Sequence, residues 1–280
     1  MERPRFVAMP LIFVPTPLGN LGDITLRALE TLREAELIVA EDTRVARKLL
    51  SALAIEHKEL WSYREQNAAA VTAGILERAR LQRVAVVTDA GMPAISDPGS
   101  ELVAAARDAG VAIDVLPGPS ALLGAAVLSG FPLRRFIFEG FPARSQAARR
   151  EQFAAALRAG ATTIWFESPQ RIAAALADLA AVAPDAQVFL VREYTKKFEQ
   201  QLLGTPGDVA RGLVEPVRGE IAFAVAPYVA AGPPAPADVD AAIDELLASG
   251  HGVGDVARLL ARAGAGERRE LYARANKRRR

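Results

Sequence analysis

The sequence predicts an α/β protein: two α/β domains at residues 1–129 and 130–228, a Pro/Ala linker at 229–237, and a small basic helical extension at 238–280. Three observations carry this reading. Short β-branched runs alternate with amphipathic stretches through the first half, as expected of strands joined by helical crossovers into a parallel sheet. After Gly130-Phe131-Pro132 the alternation changes rhythm but continues. The run Ala230-Ala231-Gly232-Pro233-Pro234-Ala235-Pro236 is too rich in proline to continue an element and reads as a semi-rigid spacer.

Taken in order, residues 11–14 read as a strand and 25–34 as a helix. The pair recurs at 37–40 with 43–53, at 84–88 with 100–108, and at 113–116 with 121–128. In the second domain 136–138, 162–166, 188–192, 198–203 and 221–225 read as strands, and 149–158, 171–179 and 208–213 as helices. The strands at 188–192 and 198–203 are close enough to form an antiparallel pair. Beyond the linker, 239–248, 253–263 and 268–275 read as three short helices, with too little chain for a strong core unless they dock.

Composition narrows the chemistry. About half of the 280 residues are apolar, enough for a substantial core. The chain has no cysteine, which excludes disulfides, a thiol nucleophile and Cys-ligated zinc or iron–sulfur sites. Its two histidines, His57 and His251, are far apart, so no metal site is expected. No secretory start and no uninterrupted apolar run long enough to span a bilayer is present, so a soluble, cytoplasmic protein without membrane contact is expected. A net charge of +1 argues against a protein that coats nucleic acid over its whole surface. The last stretch, however, carries Arg258, Arg262, Arg268, Arg269, Arg274, Lys277, Arg278, Arg279 and Arg280 against Asp255, Glu267 and Glu270. It reads either as an RNA-phosphate contact, with Arg268, Arg269 and Lys277 as candidates, or as a solvated tail.

Loops that follow parallel strands gather at the carboxyl edge of the sheet, where ligands bind in open α/β folds. Four of them are unusual. Pro15-Thr16-Pro17-Leu18-Gly19-Asn20-Leu21-Gly22-Asp23 combines glycines that admit a ligand with prolines that hold one shape. The closely spaced glycine triplet of dinucleotide sites is missing. Glu41-Asp42-Thr43-Arg44 either caps a helix or supplies a proton acceptor, Asp42 or Glu41, beside a phosphate-binding Arg44. Thr88-Asp89-Ala90-Gly91-Met92-Pro93-Ala94-Ile95-Ser96-Asp97-Pro98-Gly99 is the most specific, a rigid segment suited to main-chain contacts with a polar cofactor. Pro117-Gly118-Pro119-Ser120-Ala121 repeats the design at a helix start. In the second domain Glu167-Ser168, Arg192-Glu193-Tyr194-Thr195-Lys196 and Gly219-Glu220 place charged groups at strand ends.

In the order and wording of these loops the chain resembles the ribosomal-RNA-methylating branch of the tetrapyrrole (corrin/porphyrin) methylase superfamily, from about residue 10 to 228. The resemblance implies the tetrapyrrole methylase fold, with S-adenosyl-L-methionine in the cleft between two α/β domains of a homodimer subunit. It implies 2′-O-methylation of a cytidine in the decoding region of 16S rRNA, in the small ribosomal subunit. Carried over by position, Leu18 and Gly19 border the cofactor. Gly91, Pro93, Ala94, Ile95, Ser120 and Ala121 contact it through the main chain, and Ser168 and Glu220 close the site. Asp42, Glu167 and Lys196 are the candidates for removing the hydroxyl proton. The family commonly has a histidine after the Ser-Pro pair; here Gln170 stands there and cannot take up a proton at neutral pH. The alternatives are a tetrapyrrole C-methyltransferase, whose loop usually reads Gly-Asp-Pro where this chain has Ala90-Gly91-Met92, and a non-catalytic ribosome assembly factor.

Overall fold

A computed structural model describes residues 10–228 and 239–279, and the chain divides into two compact units, Met1–Tyr228 and Val229–Arg280. The linker expected at 229–237 lies outside the described residues, as do 238 and 280.

The first unit holds two five-stranded sheets. In the first, β1 (Leu11–Phe13), β2 (Leu37–Ala40), β3 (Glu59–Ser62), β4 (Val84–Val87) and β5 (Ile113–Val115) are all parallel, in the order β3-β2-β4-β1-β5. β2 and β4 are buried along their whole length, which explains their unbroken apolar runs. Alternate side chains serve opposite faces. Leu37, Val39, Val84 and Val86 pack on Ile75 and Ala79 of α3 (Ala68–Leu81) and on Leu102 and Ala106 of α4 (Ser100–Asp108). Ile38, Ala85 and Val87 pack on Ala28 and Leu32 of α1 (Leu26–Glu34) and on Ala46 and Leu50 of α2 (Thr43–Ala52). Side-chain caps start several of these helices: Thr25 accepts from the Ala28 amide at 3.1 Å and Asp42 from the Arg44 amide at 2.8 Å, each worth about 1 kcal/mol. β3 and α3 have no counterpart in the sequence reading.

The second sheet is mixed. β6 (Phe136–Gly140) runs parallel to β7 (Thr162–Glu167), while β8 (Val188–Arg192), β9 (Gln200–Gly204) and β10 (Ile221–Val225) complete the order β6-β7-β10-β8-β9 through antiparallel pairs. Its register separates two faces. The row Trp165–Phe223–Leu190 points to α6 (Gln146–Arg158), α7 (Ile172–Val182) and α8 (Pro206–Gly212), where Phe153, Leu176 and Val209 complete a core. The rows Ile164–Ala224–Phe189 and Phe166–Ala222–Val191 point the other way. They meet α5 (Ala121–Leu128), whose Ala125 and Ala126 pack on Ile164, Phe189 and Ala222. Although α5 follows β5 of the first sheet, it packs on the second, which ties both sheets into one unit.

In the second unit, α9 (Val239–Ala248), α10 (Val253–Arg262) and α11 (Arg268–Arg278) bury Ile243, Val256, Ala257, Leu260, Leu271 and Ala275 among themselves. The sequence reading expected too little chain for such a core; the small Ala257 and Ala275 let the helices approach. No described helix is long and apolar enough to cross a membrane.

Candidate functional site

In the first sheet the chain leaves β1 toward one edge to make β2 and later crosses to the opposite side to make β5. Loops after β1 and β4 therefore separate at the carboxyl edge, the place where open α/β sheets receive ligands. Two main-chain hydrogen bonds lock these loops together, from the Thr16 amide to Gly91 O at 2.9 Å and from the Gly91 amide to Thr16 O at 3.0 Å. The buried Thr16 hydroxyl adds a third, to Thr88 O at 3.2 Å. Between Thr88 and Gly99 the backbone turns repeatedly through the left-handed region, at Gly91 (φ 81°), Ala94 (φ 68°) and Ser96 (φ 64°). At the two side-chain-bearing residues this costs on the order of 1–3 kcal/mol each. Across the cleft Glu193 (φ 54°) and Thr195 (φ 67°) are held the same way.

Between these loops and the inner face of the second sheet lies a cavity of about 350 Å³. Leu18, Gly91, Ile95, Asp97, Ser120 and Ala121 line it from one side. Phe166, Glu167, Ser168, Tyr194, Glu220 and Ala222 line it from the other. Its ionisable walls are acidic: Asp97, Glu167 and Glu220 border it, and no Lys, Arg or His is among the described lining residues.

Eight of the residues singled out in the sequence thus border one cavity: Leu18, Gly91, Ile95, Ser120, Ala121, Glu167, Ser168 and Glu220. The others are not among its lining residues. Gly19 sits under the stem of Lys196, where a β-carbon would come 2.1 Å from Lys196 Cγ. Pro93 is buried, and Ala94 packs where a β-carbon on Gly99 would come 3.0 Å from its methyl. Asp42 caps α2, and its carboxylate receives the Arg44 guanidinium at 2.5 and 3.0 Å. The Arg44 side chain and amide hold Asp42 well below the usual carboxylate range. Arg44 belongs instead to a shallow basic groove with Arg47 and Lys48 on α2. The Lys196 ammonium bridges Glu193 at 3.0 Å and Glu220 at 2.9 Å; burial opposes its charge, but these two carboxylates outweigh it and raise its pKa. Glu167 is buried, with Oε1 accepting from the Ser168 amide at 2.8 Å and Oε2 3.1 Å from the Arg171 guanidinium. Gln170 is exposed and outside the cavity. In the second unit Arg268, Arg269 and Lys277 are exposed and make no ion pair among the described residues.

The sequence reading quoted Asp97 within the Thr88–Gly99 loop but gave it no role of its own. Its carboxylate receives the Thr88 hydroxyl at 2.8 Å, and the same hydroxyl lies 2.9 Å from Glu41. Burial, with the repulsion of Glu41, Asp89 and Glu220, outweighs the Thr88 hydrogen bond and pushes the Asp97 pKa up to about 6. Asp89 is likewise raised, by burial and by Glu41.

A family model described as Tetrapyrrole (Corrin/Porphyrin) Methylases matches residues 10–210. A relative from Thermotoga maritima, named ribosomal RNA small subunit methyltransferase I, is 45% identical over 195 residues, covering 69% of this chain and 87% of its own. One of the same name from Mycobacterium bovis is 40% identical over 270 residues, covering 94% of this chain and 93% of its own. Among solved structures, a cobalt precorrin-4 methyltransferase superposes with a TM-score of 0.61 at 20% identity, covering 81% of this chain and 98% of its own, a likeness of fold.

Proposed function

The chain belongs to the tetrapyrrole methylase family and, within it, to the ribosomal RNA small subunit methyltransferase I group, and from that premise we propose that it methylates a cytidine 2′-hydroxyl in the decoding region of 16S rRNA. The methyl donor is S-adenosyl-L-methionine, the acceptor is the assembled small subunit in the cytoplasm, and the enzyme works as a homodimer. When bound, the donor supplies a methyl group already activated on a sulfonium.

The observation that carries the reading is the acidic cavity itself. A sulfonium and an ammonium are cations, and the walls offer Asp97 together with Glu167 and Glu220, whose charges are shared with Arg171 and Lys196 outside the lining. Apolar surface from Leu18, Ile95, Phe166 and Ala222 suits an aromatic base. On this reading Leu18, Gly19, Gly91, Pro93, Ala94, Ile95, Ser120 and Ala121 hold the donor from the first sheet, while Ser168 and Glu220 close over it. Such positioning alone supplies roughly 7–11 kcal/mol of the barrier reduction. Arg44, Arg268, Arg269 and Lys277 contact rRNA phosphates.

Transfer of labelled methyl from adenosylmethionine to small subunits, followed by mass-spectrometric mapping of ribose methylation in 16S rRNA, tests the proposal. One new 2′-O-methylcytidine in the decoding region is expected. Label on a base carbon or on no rRNA position refutes it, and equal activity on a short naked oligonucleotide refutes the assembled subunit as the acceptor.

A further inference from the structure

We propose that Asp97 is the proton acceptor of this methyl transfer, with Thr88 and Glu41 behind it as positioning residues; the proposal rests on the functional reading above. The Thr88 hydroxyl lies 2.8 Å from Asp97 Oδ2 and 2.9 Å from Glu41 Oε2. A hydroxyl has a single hydrogen to donate. With both carboxylates ionised, one of these contacts is a hydrogen bond and the other sets an anion against an oxygen lone pair. One added proton resolves the conflict: Asp97 donates to the Thr88 oxygen, and Thr88 donates to Glu41. The arrangement is therefore built to be completed by a proton it lacks when ionised.

Position supports the assignment. Asp97 borders the cavity, whereas Glu41 and Thr88 stand behind it. Thr88 is buried, and its carbonyl is held by the Thr16 hydroxyl. The charges that act most on Asp97 are acidic, Glu41 from the end of β2, Asp89 from the loop after β4 and Glu220 from the start of β10, the last of them shared with the Lys196 ammonium at 2.9 Å. Burial and this repulsion place its pKa at about 6, ionised at neutral pH yet close enough to accept a proton efficiently. The other candidates are less suited. Asp42 is held by Arg44, Lys196 is kept charged by Glu193 and Glu220, and Glu167, although its Oε2 has no hydrogen-bond partner, is kept beside the Arg171 guanidinium at 3.1 Å and accepts from the Ser168 amide.

In the step itself the ribose O–H bond breaks, and its electron pair forms the new bond from oxygen to the methyl carbon. The S–C pair stays on sulfur as a neutral thioether, and the proton passes to the Asp97 carboxylate. The lost sulfonium charge balances the neutralised carboxylate.

Four readouts test the assignment. In the ligand-free protein the Asp97 carboxyl resonance, identified by its absence in Asp97→Asn, should titrate near pH 6, and about one pH unit lower in Glu41→Gln, which removes a like charge. Single-turnover methylation of small subunits should lose rate in acid, with a midpoint below that of the ligand-free protein because the bound sulfonium favours the carboxylate, and the loss should move down further in Glu41→Gln. Asp97→Asn should slow transfer about a hundredfold or more at saturating adenosylmethionine, whatever its separately measured donor affinity. Because the folded pKa is raised from 3.8 to about 6, the cost of ionising Asp97 on folding grows as the pH rises between these values and is full above them, so Asp97→Asn should melt above wild type at pH 8 and much less so at pH 4. Titration in the ordinary carboxylate range, an Asp97→Asn rate near wild type, or a loss accounted for by donor affinity alone overturns the assignment. If Asp97→Asn fails to fold, the Glu41→Gln pH profile still decides: an unmoved limb overturns it. A wild-type protein that transfers no methyl to small subunits overturns the functional reading as well, whereas active wild type with an unaffected Asp97→Asn overturns this proposal alone.

Discussion

Both sheets of the first unit have five strands, yet they serve the cavity in different ways. The first is wholly parallel, so every strand ends at the same edge and its crossover loops gather there. That edge contributes backbone: turns at Gly91, Ala94 and Ser96 and the paired amides of Thr16 and Gly91. The second sheet is mostly antiparallel and contributes a face, the row Phe166–Ala222–Val191, with charged groups at its strand ends. Its opposite face carries the large core around Trp165 and Phe223. Precision at the cavity thus comes from loop geometry on one side, and rigidity from core packing on the other. Stability and ligand affinity should separate along the same line.

The largest effect should come from the outer side of the second sheet. Asp178 on α7 is buried and receives Arg149 at 2.5 and 2.8 Å, Arg150 at 2.7 Å and Gln146 at 3.2 Å. Removing one partner of such a pair leaves an uncompensated buried charge, so Asp178→Asn should cost about 3–5 kcal/mol by denaturant melts at pH 7. Burial alone would raise the Asp178 pKa, but its hydrogen bonds to Arg150, Arg149 and Gln146 prevail and lower it. A lowered folded pKa means that the stabilisation is present above the ordinary value of 3.8 and fades as the pH falls below it. The difference between mutant and wild type should therefore shrink in acid, while adenosylmethionine affinity at pH 7 stays unchanged. A mutant as stable as wild type, or one that loses donor affinity while folded, would break the comparison.

The next effect should come from the first sheet's edge, with the opposite signature. Gly19 is exposed and its backbone conformation accepts a side chain, but a β-carbon there would meet the Lys196 stem. Gly19→Val should push Lys196 from the cleft and weaken adenosylmethionine binding about tenfold, or roughly 1.4 kcal/mol, with little change in melting temperature. Calorimetric affinity equal to wild type would show that the two sides need not meet there. Gly91→Val is a poorer probe, because Gly91 is buried at φ 81° and the substitution would strain the loop directly.

The same division explains what could be read in advance. Strands at 37–40, 188–192 and 221–225 and helices at 100–108 and 121–128 match the observed bounds, because the strands and the helix at 121–128 are apolar runs with sharp ends and the helix at 100–108 is an amphipathic stretch between Gly99 and Gly110. β3 escaped notice because Glu59–Ser62 is a partly exposed edge strand with little β-branched character. α3 escaped because its buried Ala68, Ile75, Leu76 and Ala79 make a faint stripe in an alanine-rich helix. α6 begins earlier than expected, at Gln146, since Ser145 caps it by accepting from the Ala148 amide. At the cavity, loops with unusual Gly and Pro content were legible as chemistry. The contact of Asp97 with Glu41 through Thr88 was not, because it depends on β2 and β4 lying side by side, a register that joins positions 47 residues apart.

The smallest effect concerns the second unit, where charge divides by pairing. Arg258, Arg274 and Arg278 are joined to Asp255, Asp240 and Asp244, exposed pairs worth about 0–1 kcal/mol each. Arg268, Arg269 and Lys277 are exposed without an ion pair among the described residues. If these three contact rRNA phosphates, each one lost should reduce the salt slope of subunit binding by roughly 0.7–0.9, about 2 to 3 together, nearly independently of sequence. Changing all three to Gln should therefore raise the apparent KM for subunits and flatten its salt dependence, with adenosylmethionine affinity unaltered. Arg274→Gln provides the contrast, since it removes a partner of Asp240: it should lower the melting temperature slightly and shift the slope much less. Binding of subunits at several salt concentrations distinguishes the two variants. A triple variant with the wild-type slope would mean that the basic residues of α11 serve the fold or the solvent, and that the rRNA contact lies on other surfaces, with the groove of Arg44, Arg47 and Lys48 the next to be tested.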